Sequence, residues 1–416
     1  MTRPDEMLAP TRRALTHYRN GTTDQAADIM VNPVAAYIDL ERYQHEIERI
    51  FMPLPLALAL SIEIPQPGDY RAMWVLDTPV LIVRGKDGQA RAFLNACRHR
   101  GARLCELAAG NARVFTCPYQ AWAYNDCGKL VTRYATNTFG DVDHATLGLT
   151  ALPCAERIGL LYVGLTPGET IDVDAWLGEF AGELAHLELD RWSIFEQREL
   201  TGPGWKVALD GYLEAYHHNS PLGKTVGQYT VGNLLVLDPW GPHQRLTFGR
   251  KSLAELVDRP AAEWDGSKHI RLIHNCFPNT SISGILGDHC LVSQIFPGPT
   301  PDSTVTRQTV LVAKPPQTAA EHAASQLFSD LVLQAVRDED YKIGRTIQDA
   351  LRASANNDFL YGRNEPAVQN YHRTIARLMA ARPGQSAAAP ANSPARLSVA
   401  LRDPATAASP CTPVIL

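Results

Sequence analysis

The spacing of apolar positions changes along the chain, and each change marks a unit. From Ala36 to Ile50 (AYIDLERYQHEIERI) apolar residues recur at helical intervals. Residues 1–50 therefore read as a helical arm, expected to pack on the larger domain. From about residue 66 the runs shorten to strand length. Val75–Val83, the glycine-bearing turn Gly85-Lys-Asp-Gly88 and Ala92–Asn95 predict a β-hairpin. Val114–Thr116 and Leu160–Val163 predict further short strands, and Thr166-Pro-Gly168 closes a small β-rich unit over 51–165. Leu200–His218 predicts a strand end followed by a helix. Val231–Thr247 and His269–Leu311 alternate apolar and polar residues as sheet strands do. Glu321–Ala353 predicts a long helix with Leu327, Leu331, Val332, Ala335 and Val336 on one face. Val368–Ala381 predicts another, so 166–382 forms a larger mixed unit. From Pro383 the chain turns Ala/Pro/Ser-rich, and 383–416 is expected to be disordered. The fold class expected is α+β.

Composition narrows the function classes. The 416 residues are 45% hydrophobic and 20% charged, as in a globular protein of two or three domains. The net charge of −5 gives no basic excess to neutralise phosphates, so no nucleic-acid partner is expected. No apolar run reaches the roughly 20 residues that span a bilayer; Pro53–Ser61 is too short. The N-terminus lacks the apolar core of a secretory signal. A cytoplasmic protein with no membrane partner is the expectation.

Of eight cysteines, four (Cys97, Cys105, Cys117 and Cys127) lie close together. In a reducing compartment, clustered thiols point to metal binding before cross-linking. Cys97-Arg-His99-Arg-Gly101 is followed by Cys117-Pro-Tyr-Gln120-Ala-Trp122. Two such loops on a small β unit suggest a pinched metal centre, because thiolates suit iron–sulfur chemistry and imidazole raises the potential of the iron it binds. Here the chain resembles the Rieske domain of the ring-hydroxylating, non-haem iron oxygenases. Cys97, His99 and Cys117 match that family's Cys-x-His…Cys-x-x-His motif, as do Arg98, Arg100-Gly101-Ala102, Pro118-Tyr119 and Ala121-Trp122. The resemblance implies a [2Fe–2S] cluster at Cys97, His99, Cys117 and position 120. Gln120 departs from the motif, standing where the family has histidine. Cys105 and Cys127 lack the spacing to replace it.

A second constellation runs from Trp205 to His218. On a continuous helix, Asp210, Glu214 and His217 share one face. Two carboxylates and an imidazole are costly to bury unless a metal or hydrogen bonds satisfy them. The same oxygenases carry a carboxylate-x2-His-x4-His segment here, and two histidines with a distant aspartate hold a mononuclear Fe(II). By that resemblance His217 is the first histidine, and Glu214 is the carboxylate linking the iron to a neighbouring subunit's Rieske centre; Glu214 and Asp210 are the candidate catalytic residues. The second histidine is absent, its position being Leu222, although Thr225 keeps the family's register. His218 would serve only if the helix unwinds at Asn219-Ser220-Pro221. Asp340 is the candidate third ligand, Asp338 the second choice, and His372 is read as structural. Trp205, Tyr212, Tyr216 and Phe277 are candidate cavity walls, although aromatic residues at such spacings are more often core.

The resemblance covers about Pro33 to Ala381. It implies a small all-β Rieske domain, a helix-grip-like catalytic domain with an antiparallel sheet, and O2-dependent hydroxylation or demethylation of a small organic substrate. Electrons would come from a separate NAD(P)H-dependent reductase or ferredoxin; the chain has no Gly-x-Gly-x-x-Gly fingerprint of its own. The assembly implied is a homotrimer or a mixed oligomer with an active paralogue. The alternative is a catalytically compromised paralogue acting as structural or ligand-binding partner, because both departures replace histidine ligands at two different metals. Gln120 keeps an N–H donor able to reach Glu214 of a neighbouring subunit. Gln120→Ala is therefore expected to loosen the oligomer more than it changes any cluster absorption; an unchanged subunit mass distribution for that variant would refute this.

Overall fold

The computed structural model describes residues 4–219, 224–286, 288–353 and 355–381. The expected tail over 383–416 and Leu222 lie outside the described residues.

Short β-branched and leucine-rich runs build two small sheets side by side. One is five-stranded, in the order Ala151–Leu152, Ala90–Leu94, Thr78–Arg84, Asp69–Val75, Ala109–Asn111. The other joins Cys154–Arg157, Leu160–Val163 and Leu56–Leu60. The expected hairpin is present as Thr78–Arg84 paired with Ala90–Leu94, with Val80 opposite Leu94. Val75 belongs to the strand before it. A third sheet, Val114–Thr116, Ala123–Asn125 and Leu130–Thr132, carries the second cysteine turn. An apolar cluster of Tyr70, Leu81, Val83, Phe93, Phe115, Trp122 and Tyr124 encloses Cys97 and Cys117.

The larger unit is an antiparallel sheet of seven strands. Their order is Ser193–Gly202, Thr304–Val312, His289–Pro297, Thr280–Leu286, Ile270–Cys276, His243–Arg250 and Thr230–Trp240. Helices Trp205–Tyr212, Ala319–Gln334 and Tyr341–Arg352 pack against its first three strands. Helix Pro4–Asn20 packs at the far edge, where Met7, Ala14 and Leu15 meet Leu234, Val236, Ile270 and Leu272. One 17-residue helix thus opens the arm. Ala36–Ile50 breaks instead into two short helices and a π-turn over Ile47–Phe51. Asp39 makes the break, since its side chain caps the second helix through the Arg42 N–H.

The long helix predicted over Glu321–Ala353 is interrupted too. A π-turn at Ala335–Asp340 separates Ala319–Gln334 from Tyr341–Arg352. Leu327, assigned to the buried face, is 72% exposed. Thr318 and Glu321 form a reciprocal cap at the first helix, and its buried face is set by Phe328 and Val332 packing on Leu291 and Val310.

The arm is tied to the helix Trp205–Tyr212 by a buried ion pair, Glu46 with Lys206. Burial pushes the Lys206 pKa down, and Glu46 opposes that shift. Removing one partner strands the other charge. Glu46→Gln is expected to cost about 3–5 kcal/mol in denaturant unfolding. Glu46→Gln with Lys206→Met should recover most of that loss. A Glu46→Gln variant within about 1 kcal/mol of wild type would show that the pair is hydrated.

Candidate functional site

The two cysteine loops have the same construction. Cys97 accepts the Gly101 N–H on its carbonyl at 2.8 Å, and Cys117 accepts the Ala121 N–H at 3.0 Å. The residue four on is left-handed in both, with φ 76° at Gly101 and 53° at Ala121. Each loop closes further through a cysteine N–H, from Cys97 to the Ala102 carbonyl at 2.8 Å and from Cys117 to the Trp122 carbonyl at 2.7 Å. The two thiols come within hydrogen-bonding reach, and burial raises the Cys97 pKa. The Tyr124 hydroxyl lies 3.2 Å from Cys97 Sγ and accepts the Arg98 N–H at 3.0 Å. His99 stacks on Trp122, with ring centroids 4.9 Å apart and planes 7° apart. Gln120 Oε1 is enclosed and meets no donor. Cys105 is buried in the same apolar cluster, its N–H held by Asn95, and Cys127 is exposed.

The second group differs from the sequence expectation in its backbone. Helix Trp205–Tyr212 stops at Tyr212, so Asp210, Glu214 and His217 do not share a helix face. Gly211 weakens the end of the helix. Glu214 then diverts the chain, because its carboxylate accepts the N–H groups of Tyr216 and His217 and starts a separate 3-10 turn, Tyr216–Asn219. The same carboxylate holds His217 Nδ1. That leaves His217 Nε2 turned toward Asp340 Oδ1, 3.7 Å away. Burial disfavours a charged His217, but Glu214 and Asp340 outweigh it and raise its pKa. Burial lifts the Asp340 carboxyl to about 7, against the charge of His217. His218 lies beside His217, ring centroids 4.5 Å apart. Burial, then the charges of Arg271 and His217, push its pKa down to about 2. Asp338 is exposed and paired with Arg337.

Asp210 does separate work. Its Oδ2 accepts the Tyr37 hydroxyl at 2.6 Å and the Tyr361 hydroxyl at 3.3 Å, while His372 Nε2 lies 2.7 Å from Oδ1. His372 is structural in this sense, as expected. The network ties the arm, the helix before the site and the last helix together.

Two cavities meet at Gly211, Glu214, His217, Glu339 and Asp340. The larger, about 250 Å³, runs along Val207, Ile343, Ile347, Phe359 and Tyr361. The smaller, about 80 Å³, runs toward the sheet along His218, Phe248, Arg271 and Leu291. Tyr212 lines it. Trp205 and Phe277 pack in the core with Tyr371 instead, and Tyr216 is 62% exposed, so these three are not walls of either cavity. Tyr37, Tyr361 and Arg271 were missed by sequence reasoning, since none falls in a motif.

Two family models match this chain. A Rieske [2Fe-2S] domain covers residues 55–147, and a ring-hydroxylating alpha subunit catalytic domain covers 189–381. Together they span more than two thirds of the chain.

The chain joins a Rieske [2Fe-2S] domain to a ring-hydroxylating alpha-subunit catalytic domain.

Among its relatives, the chlorobenzene dioxygenase subunit alpha of Cupriavidus sp. (strain PS12) is 36% identical over 189 residues, 44% of this chain and 42% of that one. The biphenyl dioxygenase subunit alpha of Metapseudomonas furukawaii is 46% identical over 211 residues, 46% of this chain and 44% of that one. The glycine betaine monooxygenase oxygenase subunit of Chromohalobacter salexigens is 32% identical over 189 residues, 45% of this chain and 42% of that one. The chain spans less than half the length of each of these curated relatives. In fold it is similar to the quaternary ammonium Rieske monooxygenase CntA, with a TM-score of 0.73 at 20% identity over 85% of this chain and 96% of that one. A naphthalene 1,2-dioxygenase from Rhodococcus sp. gives 0.67 at 20% identity over 90% and 98%.

The matched domains imply a Rieske [2Fe–2S] cluster and a mononuclear iron. The donors present fit these groups in part. Cys97 and Cys117 supply two adjacent buried thiols, the needs of one iron. The other iron would have His99 and the enclosed amide oxygen of Gln120. At the second site His217 and Asp340 face each other, and a third ligand of the expected kind is missing from the sequence at Leu222. Among the described residues no group of three or more His, Cys, Asp and Glu side chains is arranged to hold a metal ion. Neither donor set has the full histidine complement that the resemblance gives, while His218 lies beside His217 on the same cavity with Nδ1 unpartnered.

Ala121 occupies a left-handed position where Gly101 occupies the matching one. A Cβ there costs about 1 kcal/mol that glycine avoids. Ala121→Gly is expected to raise unfolding free energy by about 0.5–1 kcal/mol. A loss of stability in equilibrium denaturation would mean the alanine methyl packs against a partner that glycine lacks.

Proposed function

We propose that this chain is the alpha subunit of a Rieske oxygenase. The reading is O2-dependent hydroxylation or demethylation of a small organic substrate held in the joined cavities, with electrons from a separate NAD(P)H-dependent reductase or ferredoxin. One observation carries it. His217 is clamped at Nδ1 by Glu214, so that Nε2 and the Asp340 carboxylate face each other where the two cavities meet. Orienting an imidazole through its far nitrogen is what a carboxylate does behind a metal-binding histidine. Relatives named as dioxygenase and monooxygenase subunits support the reaction class.

His217 and Asp340 would hold an iron, and Cys97, His99 and Cys117 the cluster, with Gln120 in the fourth corner; the iron supplies O2 activation and the cluster supplies electrons when bound. The chain's own residues do the rest. Val207, Ile343, Ile347 and Phe359 give the larger cavity an apolar wall that excludes water. The Asp210–Tyr37–Tyr361–His372 network makes its floor rigid. The assembly proposed is a homotrimer, in which Glu214 would link this site to a neighbouring subunit's Rieske domain.

A second reading has its own support. The enclosed, donorless Gln120 Oε1 and the incomplete donor sets favour a paralogue that has lost redox chemistry and serves as ligand-binding or structural partner of an active subunit.

Iron and acid-labile sulfide per chain separate the two. The oxygenase reading expects sulfide with at least two irons per chain, and O2 consumption once a reductase and NAD(P)H are added. A chain purified without iron or sulfide, in which Gln120→His with Leu222→His gains both, would overturn it in favour of the second reading.

A further inference from the structure

The smaller cavity holds polar side-chain atoms with no partner. Arg271, on the strand Ile270–Cys276, lines it opposite Glu339 and Asp340. Its guanidinium carries five N–H donors, yet no hydrogen bond or ion pair within 4 Å reaches it among the described residues; its Nε is buried and unpartnered. It lies over the Phe248 ring at 5.3 Å instead. His218, 8% exposed, lines the same cavity with Nδ1 buried and unpartnered. Arg271 is half-buried, and the opposite charge that acts on it is that of Asp340, with no hydrogen bond between them. A guanidinium so enclosed with its donors unused is expensive, and an apolar side chain at this position would give a more stable fold.

The carboxylates nearby are already engaged. Glu214 accepts from His217 and two backbone N–H groups. Glu339 accepts the Thr225 hydroxyl at 2.8 Å. Asp340 faces His217 Nε2. The cavity is therefore short of acceptors beside Arg271. The missing partner brings oxygen acceptors and negative charge. It brings a single charge, because Glu214, Glu339 and Asp340 would repel a dianion at this range. The remaining walls, Phe248, Ile273, Leu291 and Val336, ask for an apolar body.

We propose that the joined cavities bind an apolar monocarboxylic acid, its carboxylate received by the Arg271 guanidinium with His218 beside it. A guanidinium takes a carboxylate through two parallel hydrogen bonds, and the larger cavity receives the hydrocarbon. This deepens the proposed function by naming a substrate class, and it stands in either reading of the redox chemistry, since it concerns binding alone.

The test is calorimetric titration and thermal shift of the full chain with benzoate, cyclohexanecarboxylate and hexanoate, each beside its neutral amide. At least one acid is expected to bind tenfold or more tightly than its amide. Arg271→Met should abolish that preference without lowering the melting temperature, Arg271→Lys should keep part of it, and His218→Phe should weaken it several-fold. Equal binding of every acid and its amide overturns the proposal, as does no binding of any of them. So does an Arg271→Met variant that melts lower while binding the acid unchanged, since Arg271 would then be the structural partner of Asp340. Failure of the oxygenase reading shows in iron and sulfide content, which none of these titrations measures.

Discussion

Glu214 is the interaction on which the site depends. One carboxylate accepts two backbone N–H groups and fixes one imidazole nitrogen. The backbone bonds stop the preceding helix from continuing and start a new turn at Tyr216. The side-chain bond decides which way His217 faces. Without the first, His217 would lie on a helix beside Asp210; without the second, Nε2 would not meet Asp340. The far half of the pair comes from a second break in regular structure. The π-turn over Ala335–Asp340 inserts a wider loop between two helices and brings Asp340 and Glu339 to the cavity wall. Such turns recur at functional sites because they trade helical regularity for side-chain position.

Asp210 shows how the surroundings hold this geometry. It sits one turn before the site and is saturated by Tyr37, Tyr361 and His372. Those partners come from the arm, from the strand Asp358–Tyr361 and from the helix Pro366–Ala380. Strand Met30–Pro33 pairs with Asp358–Tyr361, which ties the chain's beginning to its end. A fully satisfied buried network is rigid and specifies one arrangement. The larger cavity inherits that rigidity through Asp210 and Tyr361, while its apolar wall does the excluding.

The Rieske loops and the second site are built on one plan. Each orients its donors through scaffolding of its own, and Gln120 and Leu222 stand where the resemblance expects histidine. In the loops, both turns, the Tyr124 hydrogen bond and the His99–Trp122 stack are present, and Gln120 fills the corner with a neutral amide. At the second site the Glu214 clamp and Asp340 are present. The scaffold's contacts also stabilise the fold: Cys97, Cys117, Trp122 and Tyr124 are members of one apolar cluster. Orientation and ligation are thus separable properties, and the fold alone decides only the first.

How far the sequence was legible follows from the kind of signal each feature leaves. The hairpin at 78–94 and the sheet strands were readable because a strand's period is local. The cysteine loops were readable because their residue types and spacing are uncommon together. The pairing of His217 with Asp340 rather than Asp338 came from resemblance, since an acidic triplet on a helix reads by itself as a solvated face. Periodicity failed where a side chain redirects the backbone: nothing in the pattern from Trp205 to His218 announces that Glu214 caps a new turn, and a π-turn shifts phase without changing composition. Leu327 was misplaced for a related reason: the inward face is set by Phe328 and Val332 meeting Leu291 and Val310 of the sheet, a contact between distant parts of the chain. Arg271 left no signal at all. On a strand that alternates apolar and polar residues, an arginine reads as the solvent-facing member, and only the closure of two helices over the sheet turns that position into the wall of a cavity.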